Sequence, residues 1–403
     1  MKSFFSRGEK EHTARARLFS VPRPMLRSPL LPLDAPAPDL PFLLTVVLLA
    51  LFGTVTVFSA GYAYAAFRYG DAGYFMRRQV LWLAVGLVAM FFSSHIRPSV
   101  YEALTPVFYA VTLLLLLLVL AIGWVGNGAQ RWISVGPVTI QPSEIAKMTM
   151  VMMLARYFAV FGEQALDRKK KRNIFLYGTL FPGVVLLLPI LLVMLQKHLS
   201  CIIILGAIGL LTILAAGVGT RYIGIFTALG GVGVTCLALF TDYTKERITV
   251  WQNPEAYPLT GGWQTLQGLM AIGSGGLFGL GLGKSVLKYC YISEPANDMI
   301  FTVLCEELGF LGAGAVLAIF GFLVYRGYRI ALYADSVFAR ITAFGITTKI
   351  AVQVLLNVAV VTNTIPNTGI SLPFFSYGGS SLVMLFFEAG MILSFSRYAK
   401  ITK

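Results

Sequence analysis

The chain has 403 residues, of which 57% are hydrophobic and only 12% are charged, and its formal net charge is +14. In soluble domains about a quarter of all residues are charged, so this composition excludes a soluble globular protein and indicates a polytopic membrane protein. The excess of positive charge is explained by membrane topology and by attraction to anionic headgroups, and no feature indicates a nucleic-acid partner.

Ten apolar stretches are long enough to cross a membrane, for which roughly 20 mostly apolar residues are needed. We therefore predict an all-α polytopic fold with about ten transmembrane helices. The stretches are 41–60, 79–96, 104–123, 143–161, 174–194, 199–216, 222–240, 299–325, 338–362 and 379–397.

The distribution of Lys and Arg predicts the orientation, because basic residues are retained on the cytoplasmic side in short loops. With the N-terminus inside, the cytoplasmic segments hold more than twice as many basic residues as the outer ones. Both termini are therefore expected in the cytoplasm, and residues 241–298 form a large extracytoplasmic loop between helices 7 and 8. The basic, proline-rich segment 1–40 is predicted to be a disordered tail before a membrane domain at 41–403.

The fourth helix begins with an acid and a base. Glu144 and Lys147 are three residues apart and therefore share one helix face. An ionisable pair so close to hydrocarbon indicates a functional site, and a structural ion pair between helices is the alternative. Just outside the membrane, Arg131 has a guanidinium suited to a diphosphate, although it could equally anchor the interface beside Trp132.

The long loop is rich in glycine between residues 261 and 284. Its ending, GLGLGKS, is not a phosphate-binding loop, because that motif needs glycine where this chain has Phe278. We expect an amphipathic segment on the outer leaflet. Asp298 then opens the eighth helix, either as a helix cap or as a chemically functional acid. Glu306 and Glu307 lie deeper without a matching base, which indicates a hydrated cavity with at least one glutamate hydrogen-bonded inside the bundle.

The ninth helix carries a polar stripe of Lys349, Gln353 and Asn357, which recur every four residues. Interhelical hydrogen bonds are expected for the two amides, whereas Lys349 needs an anion, for which Glu388 on the tenth helix is the candidate. The following segment, 363–381, is polar and broken by Pro and Gly. Such backbone is tolerated at membrane depth only where it is buried in protein or lines a wet cavity.

Four sequence blocks resemble the SEDS proteins (shape, elongation, division and sporulation), the bacterial cell-wall family that includes RodA, FtsW and SpoVE. Together with the ten predicted helices, the resemblance covers the chain from about residue 41 to its end. The sequences GLGLGKS and NDMIF…CEELG are closer to those of the FtsW/SpoVE branch. The blocks are GNGAQRWISVGPVTIQPSEIAK (126–147), NPEAYPLTGGWQTLQGLMAIGSGGLFGLGLGKS (253–285), EPANDMIFTVLCEELGFLG (294–312) and PNTGISLPFFSYGGSSL (366–382).

The resemblance implies a peptidoglycan glycosyltransferase that polymerises lipid II at the outer face of the bacterial cytoplasmic (inner) membrane. It implies as partners a class B penicillin-binding protein, which acts as the transpeptidase, and other membrane proteins of the division or elongation machinery. It also implies that Asp298 is the catalytic acid residue and that Arg131, Gln141, Glu144 and Lys147 belong to the substrate cavity.

Lys349 and Ser376 complete the set of substrate-binding candidates. The chain departs from the family pattern in two places. A QPDLG-like turn is replaced by residues 196–200, QKHLS, so no role of the missing Asp can be carried over. Asn297 replaces the commoner Thr before the catalytic Asp298, and this change leaves the acid in place.

Glycosyl transfer from a polyprenyl-diphosphate needs a base for the attacking hydroxyl and positive charge for the leaving diphosphate. Our hypothesis is that Asp298 is the base, while Arg131, Lys147 or a bound Mg²⁺ or Mn²⁺ stabilises the diphosphate. No ligand cluster with metal spacing is visible, so no cofactor is assigned. A single carboxylate favours inversion by single displacement. A lipid II flippase and a non-catalytic scaffold for a penicillin-binding protein are the alternatives.

Overall fold

The structure is a computed structural model. It describes residues 30–31, 35–126, 129–136, 138–166, 173–219, 224, 242–258 and 261–399. Within these ranges, eight helices are long and apolar enough to cross a membrane, and the shorter apolar helix Leu199–Ala215 makes a ninth. These helices coincide with nine of the ten predicted stretches and confirm the polytopic all-α class. The predicted seventh helix, 222–240, lies outside the described residues except for Gly224, and so does most of the predicted tail 1–40.

The helices are numbered here in chain order. They are α1 Leu40–Tyr69, α2 Tyr74–Ser94, α3 Pro98–Ile122, α4 Pro142–Ala165, α5 Phe181–Leu195 (preceded by a π-helical segment, Ile174–Leu180), α6 Leu199–Ala215, α7 Asp242–Gln252, α8 Gly261–Ser274, α9 Ile300–Tyr333, α10 Val337–Val361 and α11 Gly379–Ser396. Between α3 and α4 lies a small antiparallel sheet that the sequence did not predict, consisting of β1 Trp124–Gly126, β2 Ala129–Val135 and β3 Val138–Ile140.

The start of α1 is tied to two other helices through Asp39. The Asp39 carboxylate accepts a hydrogen bond of 2.9 Å from the Phe42 amide and so caps α1. It also forms an ion pair with Arg326 of α9, and the Asp39 amide donates to the Ser396 hydroxyl of α11 at 3.0 Å. Asp39 therefore joins three helices at the same end of the bundle, α1 and α9 through its side chain and α11 through its backbone amide.

The core of the bundle is built around α4, which is the most buried of the spanning helices and packs against α3, α6 and α10. On one side of it, α2 and α11 pack closely along their length. Gly390 permits this approach, since a Cβ there would lie 1.8 Å from the Ser93 hydroxyl and 2.5 Å from the Met90 carbonyl oxygen. Tight packing of this kind drives helix association in lipid, where apolar burial alone provides little driving force.

Helix α9 is interrupted at Gly309, whose backbone adopts φ 67° and ψ −172°. The loop segment 276–281 pairs with the interrupted turn and satisfies its backbone groups. Its hydrogen bonds are Leu280 N to Glu306 O (3.0 Å), Gly281 N to Glu307 O (2.9 Å), Phe310 N to Gly276 O (2.9 Å) and Leu311 N to Leu277 O (3.1 Å). The glycine-rich loop, expected to lie on the outer leaflet, therefore packs in part into the bundle, at an interruption within the predicted eighth helix.

Replacing Gly309 with Ala is expected to destabilise the protein. A non-glycine residue held in such a conformation costs about 1–3 kcal/mol, and the added Cβ would lie 2.3 Å from the Gly279 amide nitrogen. The matched control is Gly314→Ala in the same helix, where the Cβ meets no described heavy atom within 4 Å, so this change is expected to be neutral or to stabilise by up to about 1 kcal/mol. Thermal unfolding in detergent measures both, and an unchanged melting temperature for Gly309→Ala would contradict the interruption.

Candidate active site

Asp298 lies immediately before α9 and is half-buried. Its backbone carbonyl accepts a hydrogen bond of 2.9 Å from the Asn357 side chain on α10, which also donates to the Ile370 carbonyl at 2.6 Å. The N-cap position of α9 is Met299, and no side-chain capping bond is made there by the residues that the structure describes. The alternative explanation of Asp298 as a helix cap is therefore not supported.

The Asp298 carboxyl is partly enclosed. Its Oδ1 atom is inaccessible to solvent and has no hydrogen-bond partner within the described ranges, and Oδ2 would lie 3.3 Å from a Cβ added at Gly369. Burial and, to a smaller extent, the charge of Glu294 raise the pKa of Asp298 to about 6, although the charge of Arg247 acts in the opposite direction. A carboxyl with this pKa is ionised at neutral pH but remains a stronger base than an ordinary aspartate, as general-base catalysis requires.

Arg247 is a candidate site residue that the sequence analysis did not single out. It lies on α7, donates a hydrogen bond to the Asn367 carbonyl, and is close enough to Asp298 to lower the pKa of its carboxyl. In the sequence it is separated from Asp298 by 51 residues (298 − 247) and stands out only as one of several cations in the outer loop. No local spacing could have paired the two residues.

The segment between α10 and α11 is non-helical backbone, and its residues 372–376 are buried inside the protein, as predicted. The Ser376 hydroxyl accepts from the Leu372 amide at 2.8 Å and donates to the Asn297 carbonyl at 2.7 Å. The Tyr377 amide donates to the Ala296 carbonyl at 2.8 Å. Through these bonds Ser376 and Tyr377 position the segment that carries Asp298. The segment is also held by Ser200 (to Thr368 O), Arg247 (to Asn367 O) and Trp251 (to Asn363 O).

Two predicted ion pairs are present inside the bundle. Lys147 Nζ lies 2.7 Å from Glu144 Oε1 on α4, and Lys349 Nζ on α10 lies 2.7 and 2.8 Å from the two carboxylate oxygens of Glu388 on α11. Lys349 is also close enough to Glu144 for their charges to interact, as Glu388 is to Lys147. The four side chains thus form one buried cluster with zero net charge.

Arg131 and Gln141 lie next to this cluster. Arg131 on β2 donates a hydrogen bond of 2.7 Å to the Lys197 carbonyl, and the backbone carbonyl of the buried Gln141 accepts from the Glu144 amide at 3.0 Å. Burial, together with the nearby charges of Arg131 and Lys147, lowers the pKa of His198 to about 3, so this imidazole is neutral at physiological pH. The divergent turn therefore places a neutral His198 beside the predicted cavity residues.

The polar stripe on α10 extends from Asp298 to the cluster of ion pairs. Asn357 holds the backbone of Asp298, and Lys349 lies two turns earlier, about 12 Å along the helix axis. Between them, Gln353 is buried and its Oε1 atom has no hydrogen-bond partner in the part of the chain that the structure describes. Along α10 the structure thus brings together Asp298, near Asn357, and the cluster of ion pairs, at Lys349.

The two glutamates of α9 do not face a hydrated cavity, which corrects the prediction. Glu307 pairs with Lys288 Nζ at 2.9 Å and accepts from the Ser59 hydroxyl at 2.6 Å. Glu306 accepts from the Val286 amide at 2.9 Å. The matching base was missed because it comes from the folded-back loop, outside α9. The expectation that at least one glutamate is hydrogen-bonded inside the bundle is confirmed for both.

A divalent cation fits the oxygen atoms next to Asp298, although the described residues contain no cluster of three or more His, Cys, Asp or Glu. Asn297 Oδ1 and Asp298 Oδ1 are both buried acceptors without a hydrogen-bond donor among the residues described. Mg²⁺ is commonly held by one or two carboxylates together with substrate phosphates. The donor set therefore suits a cation shared with a diphosphate and does not suit an all-protein metal centre.

Comparison with known proteins decides the family. The sequence profile of the FtsW, RodA and SpoVE proteins, described as cell cycle proteins, matches residues 40–401. The chain belongs to this family. Among the relatives of this FtsW/RodA/SpoVE protein, stage V sporulation protein E of Bacillus subtilis is 37% identical over 366 residues, 90% of this chain and 98% of that protein. The probable peptidoglycan glycosyltransferase FtsW of Geobacter metallireducens is 37% identical over 370 residues, 90% of this chain and 95% of that protein.

Solved structures share the fold of this FtsW/RodA/SpoVE protein. A chain from a peptidoglycan synthase complex that coordinates polymerization and crosslinking superimposes with a TM-score of 0.75 at 26% identity. The rod shape determining protein RodA of Thermus thermophilus gives a TM-score of 0.67, also at 26% identity. Both matches cover 91% of this chain and 99% of the other. The similarity to the SEDS family expected from the four sequence blocks is confirmed.

Proposed function

We propose that this chain is a peptidoglycan glycosyltransferase that polymerises lipid II into glycan strands, with Asp298 as the general base. The observation that carries the proposal is one partly enclosed carboxyl, with a pKa of about 6, beside an arginine and above a buried cluster of ion pairs. Relatives at 36–37% identity are named probable peptidoglycan glycosyltransferases, and their activity is the one that this site can perform.

The reaction needs one proton transfer and one displacement. Asp298 takes the proton of the attacking sugar hydroxyl, whose oxygen then bonds to the anomeric carbon of the donor. The bond from that carbon to the diphosphate breaks, and the diphosphate leaves with the bonding electrons. With a single carboxylate at the reacting carbon, the displacement inverts the anomeric configuration. Asp298 is held for this step by Asn357 and Ser376 through its own and its neighbour's carbonyl groups.

Arg247 is the first candidate for stabilising the leaving diphosphate, because it is the cation that acts on Asp298. Arg131, next to the ion-pair cluster, is the second. Lys147 and Lys349 are each neutralised by a carboxylate, so we assign them to the wall of the substrate cavity. A Mg²⁺ or Mn²⁺ held by Asp298 and Asn297 would supply further Lewis-acid stabilisation of the diphosphate.

We further propose that the chain lies in the bacterial cytoplasmic membrane, with both termini in the cytoplasm and Asp298 at the outer face. A class B penicillin-binding protein is the proposed partner, with other division or elongation proteins beside it. This proposal is supported by the structural similarity to a chain of a peptidoglycan synthase complex that coordinates polymerization and crosslinking.

The test of the function is polymerisation of labelled lipid II by the purified protein in detergent, where transport across a membrane plays no part. Glycan strands are expected as product, and chelation of divalent cations is expected to lower the rate. Absence of strands, with and without a penicillin-binding protein present, would favour the flippase or the scaffold and overturn the proposal.

Arg247→Gln is expected to lower the polymerisation rate by about 10²–10³-fold, the usual effect of removing one preorganised donor to developing charge. The matched control is Lys245→Gln, since Lys245 is an exposed cation two residues away on the same helix. It is expected to retain the wild-type rate. Equal losses in both variants would show that the outer loop acts only through its general positive charge.

A further inference from the structure

Aromatic side chains form a cluster at the turn between α1 and α2, which we call the tyrosine platform: Tyr69, Tyr74 and Tyr377 around Phe75. Tyr69 and Tyr74 stack with ring centroids 4.0 Å apart and 10° between their planes. Phe75 is buried and meets all three tyrosines edge-on, at 5.9, 5.4 and 4.8 Å. The guanidinium of Arg78 lies over the Tyr74 ring, 4.4 Å from its centroid, and its charge also acts on Tyr377.

The platform is attached directly to the segment that carries Asp298. Tyr377 follows Ser376, whose hydroxyl donates to the Asn297 carbonyl, and the Tyr377 amide donates to the Ala296 carbonyl. The charge of Glu294 acts both on Tyr69 and on Asp298. The platform and the Asp298 carboxyl therefore lie on the same side of the bundle, on either side of residues 294–297.

Tyr69 is the exposed member of the platform, and charged side chains surround it. Tyr69 has 48% of its surface exposed. Around it, Arg68, Arg77 and Arg78 are exposed, and Arg77 forms an ion pair with Asp71. Charged side chains at this density exclude a hydrocarbon environment, so the exposed tyrosine face meets water or headgroups.

A flat tyrosine ring in water, with cations beside it, is suited to bind an acidic amino-sugar strand. A pyranose ring has a flat face of C–H groups that can be buried against an aromatic ring while its hydroxyls stay hydrated, and tyrosine combines an apolar face with a polar tip in the same way. The peptide side chains of such a strand carry carboxylates, which the arginines around the platform attract. None of the groups that the mechanism uses at Asp298 is needed for this contact.

We propose that the tyrosine platform binds pyranose rings of the glycan strand outside the reacting pair of sugars, with Tyr69 as the stacking ring. This inference rests on the proposed function. Its consequence is that the platform retains the strand between successive additions, so it determines strand length as well as affinity for a preformed strand.

The test compares Tyr69→Leu with Tyr69→Phe in lipid II polymerisation, with strand lengths resolved by electrophoresis. Tyr69→Leu loses one ring contact. It is expected to shorten the strands and to raise by about tenfold the KM for a lipid-free glycan oligomer that is added as acceptor. Tyr69→Phe keeps the ring and is expected to retain the wild-type values. The control is Phe67→Leu, because Phe67 is an 81% exposed aromatic residue two positions earlier that is not part of the platform. It is expected to leave the acceptor KM and strand length unchanged.

The outcomes separate the two proposals. If the wild type makes no strands from lipid II, the proposed function fails. If the wild type polymerises and Tyr69→Leu gives wild-type strand length and acceptor KM, the platform proposal alone is overturned. It is overturned as well if Phe67→Leu shortens the strands as much as Tyr69→Leu, since the aromatic side chains would then act as interfacial anchors.

Discussion

Asp298→Asn is expected to lower the rate of glycan polymerisation by about 10²–10⁴-fold, the usual contribution of a general base. The amide is nearly isosteric with the carboxylate but cannot take the proton of the attacking hydroxyl. The fold is expected to survive, because the bonds that hold this segment use the backbone carbonyls of residues 297 and 298. The rate is measured with lipid II, and a thermal unfolding curve of the same preparation checks the fold.

The matching control uses Glu294, the neighbouring exposed carboxylate. Since the pKa of the metal-free Asp298 carboxyl is about 6, the ionised fraction and the rate, measured without added divalent cations, are expected to rise with pH through 6 and to level off above 7. Glu294→Gln removes a repelling charge, so the pKa of Asp298 falls and the acidic limb moves to lower pH without loss of the maximal rate. Wild-type activity in Asp298→Asn, or a rate that is flat between pH 5 and 7, would contradict the role of general base.

Glu388→Leu is expected to destabilise the protein by about 3–5 kcal/mol, the cost of leaving one charge of a buried pair without its partner. Lys349 and Glu388 are only 1% and 0% exposed, so water cannot replace the missing carboxylate. The double variant Lys349→Met/Glu388→Leu removes both charges and is expected to recover much of the stability. Thermal unfolding in detergent measures both variants.

An exposed ion pair provides the comparison. Asp71→Asn breaks the pair with Arg77, which lies at the surface, and is expected to change the stability by less than about 1 kcal/mol. Glu388→Leu with wild-type stability would contradict a closely coupled buried pair. If the double variant is folded but inactive in polymerisation, the pair belongs to the substrate cavity; if it is folded and active, the pair has only a structural role.

Features that depend on neighbours in sequence could be predicted. The Glu144–Lys147 pair follows from a spacing of three residues on a helix, and the polar stripe through Asn357 follows from a spacing of four. The Lys349–Glu388 pair could also be inferred, because each of these residues lies deep in a predicted spanning helix, where lipid does not tolerate an unpaired charge. In each case the reasoning needs only helical geometry and the cost of burying charge.

Features that depend on long-range folding could not be predicted in this way. The interruption at Gly309 requires a backbone partner from the loop at 276–281, and nothing in a helical pattern indicates where that partner is. For the same reason the pairing of Lys288 with Glu307 was missed. Arg247 was counted only as a topological charge, because its proximity to Asp298 arises from the way the outer helix α7 folds over the segment between α10 and α11.

The amino-acid sequence by itself determined that the chain spans a membrane many times, which charges are costly inside it, and that Asp298 lies at a helix start. Hydrophobic length and helical period are local properties and need no knowledge of the rest of the chain. Only the tertiary structure decided that Asp298 is partly enclosed, that Arg247 lies near it and that a tyrosine platform adjoins it. These properties depend on burial and on contacts between distant segments, and the pKa of a carboxyl follows from both.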